Sequence, residues 1–558
     1  MMKKILVKAL AAALSITLLG GCGSTAPANT PGASSSTTPT ASAGTGEPSG
    51  GNVSGGYEMP LTTEPVTLKV WGPSSPDNDY TSNVTTTEYE KLSGVHIEWD
   101  LYSNTTGDEA FNLMVASGDY PDIIAGSHST DKISMLVEGG IIIPLTDYID
   151  TIGVNYQKAL AEQPQYRDML TAPDGNIYTF MYTDTGVHKD SEYKMWVYAD
   201  WLEKLNMKAP TTPEEFKQML IAFKEQDPNQ NGQKDELGLV GFYNGRQSDP
   251  IRYLMNAFQL YRENYYYITD DGKLEFIANT DGWREGLRYL NDLFESGLLL
   301  EETYVQDESQ FKALLNKPAG ETIIGAFPFW YQGAIIDSKV LNWTDYEALA
   351  PLKGPTGLQQ SAARKGGNFN LNTAITANCK NPEIAFKWLD WMISDEGNIF
   401  GMHGVEGITY DMSDSPSYSG NTPSFKLRKL EKAFNLYLWN SGFFPRYDRA
   451  DVRYGTTADD SLRNSDNTYV LLTAAKTYEP YYVWHNIPDV VWCSDTDLIT
   501  KKADYQTLFN DFIAATDTAF VIGTKDIDND AEWENYKASL ESMGLADYLK
   551  VLETFYLK

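Results

Sequence analysis

Val66-Thr-Leu-Lys-Val-Trp71, Val95-His-Ile-Glu-Trp-Asp-Leu101 and Pro121-Asp-Ile-Ile-Ala125 decide the fold class. The first two alternate apolar and polar residues with the two-residue period of a strand, and Gly72-Pro73 breaks the first. The third is a short apolar run. Helical patterns fill the gaps, through Thr87–Leu92 and around Glu109–Ser117. Strand alternating with helix predicts an α/β domain built on a largely parallel sheet.

Further along, helices dominate. Asp200–Leu205 is one, and Thr212–Glu225 is another with Pro213 at its first position. Thr280–Ser296 repeats Trp283, Leu287, Leu290 and Phe294 at intervals of three and four, with a cap at Thr280 or Asp281 and a stop at Gly297. Glu321–Phe327 returns to strand. Pro382–Ser394, Glu532–Met543 and Ala546–Phe555 are again helical. About 500 residues from Leu61 to Lys558 exceed one hydrophobic core, so two lobes are expected. The early and mid-chain α/β segments predict a chain that leaves one lobe, builds a second and returns. The expected first lobe is about 61–185 plus about 320–375, and the second about 186–319 plus about 376–558.

The opposite end of the reading is the N-terminus. Lys3, Lys4 and Lys8 precede an apolar run from Ala9 to Leu19. That run is shorter than the roughly 20 residues a spanning helix needs and has the form of a secretory signal. It ends in Leu19-Gly20-Gly21-Cys22, which resembles the lipobox of bacterial lipoproteins. The resemblance implies cleavage after residue 21 and a lipid on Cys22, placing the protein on the extracellular face of the cytoplasmic membrane. Residues 22–60, rich in Ser, Thr, Gly, Pro and Ala, then form a disordered leash. A flexible chain of roughly 35 residues reaches about 30–35 Å.

Composition narrows the partners. The net charge of −32 becomes about −35 once a leader with three lysines and no acids is removed. Such a field repels nucleic acid and confines membrane contact to the anchor. It also disfavours strongly anionic ligands. Beyond Cys22 only Cys379 and Cys493 remain, either as one disulfide or as two buried thiols.

The sharpest local motif is Asp227-Pro-Asn229-Gln-Asn231-Gly232-Gln233-Lys-Asp235-Glu236. Ca²⁺ takes six to eight hard oxygens, and a helix–loop–helix loop supplies them at positions 1, 3, 5, 7 and 9 with glycine at 6. Those positions are Asp227, Asn229, Asn231, the carbonyl of Gln233, and Asp235. Position 12 is Gly238 rather than a bidentate glutamate, and Glu236 is the natural replacement. The expectation is a structural Ca²⁺; the alternative is an Asx-rich turn without an ion.

Taken together the chain resembles the family-1 extracellular solute-binding proteins of ABC transporters, in the long subgroup with alginate-binding and LplA-type lipoproteins. The likeness rests on Gly118-Asp-Tyr-Pro-Asp-Ile123, Gly139-Gly-Ile-Ile-Ile-Pro-Leu145, Gly175-Asn-Ile-Tyr178, Ala199-Asp-Trp-Leu-Glu-Lys-Leu205 and Pro210-Thr-Thr-Pro-Glu-Glu-Phe216. Leu293-Phe-Glu-Ser-Gly-Leu298, Gly404-Val-Glu-Gly407 with Tyr410, and Phe520-Val-Ile-Gly523 with Trp533 and Tyr536 extend it. Met181 stands where the family often has a proline shortly after Gly-x-Ile-Tyr. The resemblance implies a bilobal periplasmic-binding-protein-like α/β fold, two lobes joined by hinge strands with a helix-rich C-terminal lobe. It implies a monomer that captures an oligosaccharide between the lobes and delivers it to an ABC permease. It also implies a structural calcium on the loop from Asp227 to Glu236.

Sugar sites combine aromatic platforms with acids, amides and arginines, and the chain carries 13 Trp and 35 Tyr. Aromatics at strand ends or in polar loops are the candidates, the alternative for each being the core: Trp71, Trp330, Tyr331, Trp439 and Trp484. Asp122 either contacts ligand or caps a strand. Glu406 either accepts ligand hydroxyls or fixes a turn. Arg364, in a Gly/Lys-rich loop, completes the set. The five histidines lack zinc-protease spacing, and neither a phosphate-binding glycine loop nor a Gly-x-Ser-x-Gly elbow occurs. No catalytic residue is assigned, so a transport receptor is expected. A carbohydrate-active enzyme, whose paired carboxylates can be distant in sequence, and a calcium-dependent adhesion protein are the alternatives.

Overall fold

The computed structural model describes residues 52–74, 80–103, 106–191, 193–243, 248–318, 321–337, 339–364, 368–430, 444–458 and 467–557. Cys22 and Trp439 lie outside the described residues, as does the leader. The strand Val66–Ser74 pairs in parallel with Val95–Ser103 along its whole length and with Ile123–Ile124 on its other side, and Ala374–Ile375 closes the sheet antiparallel. Leu68, Val70, Ile97, Ile123 and Ile124 are buried, as parallel strands covered on both faces require. The crossover helix Val84–Ser93 begins where Asn83 accepts from the amide of Thr86 at 2.8 Å. It stops at Gly94, whose φ of 72° is left-handed and whose absent Cβ would stand 2.8 Å from the carbonyl of Thr62.

A second four-stranded sheet runs in the order Tyr346–Leu349, Lys194–Tyr198, Ile324–Phe329, Leu237–Leu239. Helices Pro213–Glu225 and Asp281–Glu295 form as their caps predict: Thr212 accepts from Glu215 and Thr280 from Trp283. Trp283, Leu287, Leu290 and Leu293 are fully buried.

The cores are separate. Residues from Tyr57 to Met181 and from Phe369 to Phe444 make the first, and residues from Tyr193 to Ala362 and from Ala474 to Leu552 make the second. This division corrects the expected lobe boundaries in three places. The strand Ile324–Phe329 lies between Lys194–Tyr198 and Leu237–Leu239 rather than in the first lobe. Helix Pro382–Met392 buries Phe386, Trp388, Leu389 and Trp391 in the first core rather than the second. A short apolar strand or helix is suited to either core, and its periodicity does not name its partner. The third place is the leash. Its last residues are folded, with Asn52–Ser54 paired to Tyr57–Met59. Tyr57 Oη donates to the buried carboxylate of Asp390 at 2.7 Å, which also accepts from the amides of Asn155 and Tyr156. The alternation of Tyr57 and Met59, both buried, gives that segment a core face.

The chain passes between the cores in short paired strands. Met181–Asp184 runs antiparallel to Asn368–Leu371, and Ser361–Arg364 runs parallel to Tyr482–His485. A buried ionic network grips the first crossing. Asp184 meets Arg453 at 2.6 Å and Arg446 at 3.4 Å, and Lys189 completes its shell. Asp448 accepts from Arg453 Nε at 2.6 Å and from the amide of Thr185 at 2.7 Å. Burial alone would raise the Asp184 pKa, but Arg453, Lys189 and Arg446 outweigh it and bring it down to about 2.

A carboxylate depressed in the fold stabilises it above its unfolded pKa of about 3.9 and loses that contribution as pH falls toward 2. Asp184→Asn is therefore expected to lower unfolding stability by about 2–3 kcal/mol at pH 7. Urea unfolding of both proteins should show the gap narrowing between about pH 4 and pH 2. A gap that stays constant across that range would refute the ionic account.

Candidate functional site

Residues Ser127–Asp131 follow the carboxyl end of Ile123–Ile124, the end at which open α/β sheets present ligands. They border a cavity of about 460 Å³. Its other walls are the crossing strand at Phe369–Leu371, the segment 488–491, the helix Thr496–Val521 and the C-terminal Phe555 and Tyr556. One wall thus belongs to the first lobe and the facing one to the second. The bridging segment is fixed to both: Trp492 Nε1 donates to the carbonyl of Met169 at 2.8 Å, and Asn486 Nδ2 to the carbonyl of Ile268 at 3.1 Å.

The lining mixes hydroxyls, amides, rings and charges. His128 donates its backbone amide to Leu371, and its Nε2 is buried without a partner. Burial, helped by Lys132, pushes its pKa down to about 4, so the imidazole is neutral at pH 7. Lys502 Nζ lies 4.5 Å from the centre of the Phe555 ring. Asp489 stands exposed on this wall, within electrostatic reach of Arg364. Gln506 Nε2 donates to Asn264 Oδ1 at 2.9 Å, which carries the cleft toward Arg262 and Tyr193. Arg262 binds the carbonyls of Ala363 at 3.2 Å and Val483 at 2.7 Å, joining the two crossing strands.

The expected ligand residues divide on inspection. Arg364 is exposed at the end of Ser361–Arg364, and Trp484 stands opposite Ala363 in the paired strand with 37% exposure. Both sit at the crossing rather than in the cavity lining, and Arg364 borders a smaller hollow with Asp190, Tyr193 and Arg262. Trp330 ends the strand Ile324–Phe329 and is also 37% exposed, whereas Tyr331 is buried with its ring centre 5.6 Å from that of Trp343. Trp71 is core: its ring centre lies 4.2 Å from that of Tyr102, and it is 6% exposed. The strand runs on through Gly72-Pro73 to Ser74, contrary to the break expected there, so Trp71 stands inside a strand covered by its neighbours rather than at its end. Asp122 is a clamp, its carboxylate accepting from the amide of Lys69 at 2.8 Å at the strand end away from the cavity. Glu406 is exposed in the turn where the amide of Gly407 donates to Tyr410. Cys379 and Cys493 are both free and buried, which resolves the open pairing.

The calcium-like loop has its own geometry. Asp227 Oδ1 and Oδ2 accept from the amides of Asn231 and Gly232, and Asn231 Oδ1 accepts from Gln233 at 2.7 Å. Asn229 Nδ2 donates to the carbonyl of Thr322, tying the loop to the start of the second sheet. Gly232 has φ of 75° and open space where a Cβ would stand. Glu236 is 5% exposed, and neither of its carboxylate oxygens has a partner. Its pKa is raised by burial first and by Asp227 and Asp235 next. Among the described residues no three His, Cys, Asp or Glu side chains converge as a metal site. The oxygens here are divided among carboxylates, amides and a carbonyl, and a buried unpaired carboxylate beside two others fits a hard cation.

Sequence reasoning singled out none of the residues that line the cavity, among them Ser127–Asp131, Phe369–Leu371 and one face of the helix Thr496–Val521. Its cavity-facing positions are Ile499, Lys502, Ala503 and Gln506, a stripe at helical spacing. The helix's spacing was a usable signal, but Ile499 and Ala503 are interleaved with Lys502 and Gln506 and so leave no clean apolar period.

Comparison with known proteins places this geometry. Residues 72–399 match the family described as bacterial extracellular solute-binding protein. The fructooligosaccharide ABC transporter substrate-binding protein FusA of Streptococcus pneumoniae is 29% identical over 525 residues, covering 90% of this chain and 92% of that protein. Lipoprotein LipO of Bacillus subtilis is 23% identical over 360 residues, covering 62% and 68%. The structure of S. pneumoniae FusA with kestose superposes with a TM-score of 0.73 at 27% identity, over 88% of this chain and 98% of that one. A structure of a FusA EF-hand mutant with fructo-nystose has the same TM-score and coverage. No helix among the described residues is long and apolar enough to cross a membrane.

Proposed function

Because the chain belongs to the bacterial extracellular solute-binding proteins, we propose that it captures an oligosaccharide between its lobes for an ABC importer. The observation that carries this reading is the cavity walled by two separately packed cores and spanned by short crossing strands. Such crossings absorb a rigid-body closure without disturbing either core. Amide, hydroxyl and imidazole groups line the cavity, and Trp484 and Arg364 stand exposed on the paired crossing strands. Similarity to a fructooligosaccharide-binding protein over nine-tenths of the chain supports a sugar as the ligand.

In this reading the protein binds and releases without chemistry. His128, held neutral, serves as a hydrogen-bonding group. Cys22 carries the lipid, and the leash keeps the receptor beside its permease; similarity to a lipoprotein supports the anchor. Asp227, Asn229, Asn231, the Gln233 carbonyl, Asp235 and Glu236 hold a structural Ca²⁺. The ion would neutralise the unpaired Glu236 and pin the loop to the second sheet.

Thermal-shift screening of oligosaccharides, followed by calorimetry, tests capture. Trp484→Ala is expected to weaken the bound sugar about tenfold, the weight of a stacked aromatic. A sugar cleaved at catalytic rates, or a broad panel with no binder, would overturn the receptor reading. For the ion, ~1 mM Ca²⁺ should stabilise the fold by about 0.4–1.4 kcal/mol over chelator if Kd is about 10⁻⁴–10⁻³ M. Glu236→Gln should remove that increment. Identical melting curves with Ca²⁺ and with chelator at both pH 6 and pH 8 would refute the site.

A further inference from the structure

The helix Thr496–Val521 lines two cavities with one face. Lys502 and Gln506 border the interlobe cavity, and Asn510, Asp511, Ala514 and Asp517 border a second of about 350 Å³ in the second lobe. The step from Gln506 to Asn510 is about one helical turn, and from Ile499 to Asp517 the face runs about 27 Å. Between them Gln506 holds Asn264, next to Glu263, which belongs to the second cavity.

The second cavity is built around groups that lack donors. Asp517 is 4% exposed; its Oδ1 accepts from Trp283 Nε1 at 3.1 Å, while its Oδ2 is buried with no partner. Asn510 Oδ1 is also buried and unpartnered. Asp249, 6% exposed, lines the facing wall and accepts from the amide of Ile251. Tyr243, Tyr261 and Tyr265 complete the lining. Buried acceptors without donors are costly, and they are satisfied by a ligand that brings hydroxyl donors.

The charges set the sign of that ligand. Asp249, Glu263, Asp511 and Asp517 face Arg252, the one cation among the described lining residues. Arg252 is already paired with Glu263 at 3.3 Å. Its Nε is buried without a partner, but a carboxylate on the ligand would share that single cation with Glu263 and meet an excess of carboxyl groups.

We propose that this cavity is the subsite for one neutral sugar unit, at the end of a chain lying along the helix Thr496–Val521, and that it rejects uronates. The assignment rests on the capture function proposed above. The hydroxyls of that unit donate to Asp517 and Asp249, the tyrosines supply apolar faces for its C–H groups, and the Tyr243 hydroxyl bonds to one of its oxygens. Neutral units satisfy the orphaned oxygens, whereas an acidic unit adds a carboxylate to a pocket that already holds four carboxyl groups against one arginine.

The test is calorimetry on the whole protein with neutral fructo-, malto- and xylo-oligosaccharides of increasing length, and with oligogalacturonates of matched length. Wild type should bind a neutral series, more tightly as the chain lengthens, and oligogalacturonates at least about tenfold more weakly. Asp517→Asn keeps an acceptor for Trp283 and should weaken the neutral chain about tenfold, the weight of a lost hydrogen bond. Tyr243→Phe, which removes only a hydroxyl, should weaken it several-fold and carries the test should Asp517→Asn fail to fold. Unchanged affinity in folded Asp517→Asn, or in Tyr243→Phe where the first variant does not fold, would overturn the subsite while leaving capture intact. Oligogalacturonates binding as tightly as neutral chains would overturn it too. Wild type that binds none of these sugars would overturn the capture reading and the subsite with it.

Discussion

Everything in this molecule depends on the chain crossing between two cores that do not share side chains. Each core is stabilised by its own burial, so the crossings alone set how the lobes relate. At the first crossing that task falls to Asp184, which faces Arg446, Arg453 and Lys189 in a buried network. Ion pairs of this kind add little net stability when compared with apolar packing, but they fix geometry, because a half-satisfied charge is far worse than a satisfied one. The crossing strands are consequently held firmly in register while remaining short enough to bend.

The cleft and the calcium-like loop answer different needs, the loop standing at one end of the second sheet and lining no part of the cavity. Leu237–Leu239 and Ile324–Phe329 run parallel, and the loop attaches where both begin, through Asn229 and Thr322. Trp330 stands where the second of them ends. An ion bound there would stiffen the second lobe without touching the ligand. Its effect would be read in stability, and only indirectly in affinity.

Much of the fold was legible. The caps at Thr212 and Thr280, the period-two strand from Val66 and the left-handed glycines are local features, and local chemistry determines them. The turn of the calcium-like loop is local for the same reason, since Asp227, Asn229 and Asn231 accept from backbone amides only a few positions away. What failed was long-range. Ile324–Phe329 gave no sign of which sheet it joins, and Pro382–Met392 none of which core it covers. Trp71 and Asp122 had the right residue types but lie one layer inside the lobe and at the wrong strand end. The helix Thr496–Val521 was missed because a face that lines cavities is selected for polar contact rather than for apolar period.

The two cysteines carry a practical consequence. Cys379 and Cys493 are 8% and 6% exposed, and burial raises the Cys379 thiol to about 12. A thiolate is the nucleophile toward maleimides, so a buried, protonated Cys379 reacts slowly. A cysteine introduced at an exposed position such as Val305 or Glu406 would therefore take up a dye ahead of the native thiols of the folded body. One dye on each lobe would turn the receptor into an optical gauge of its own closing.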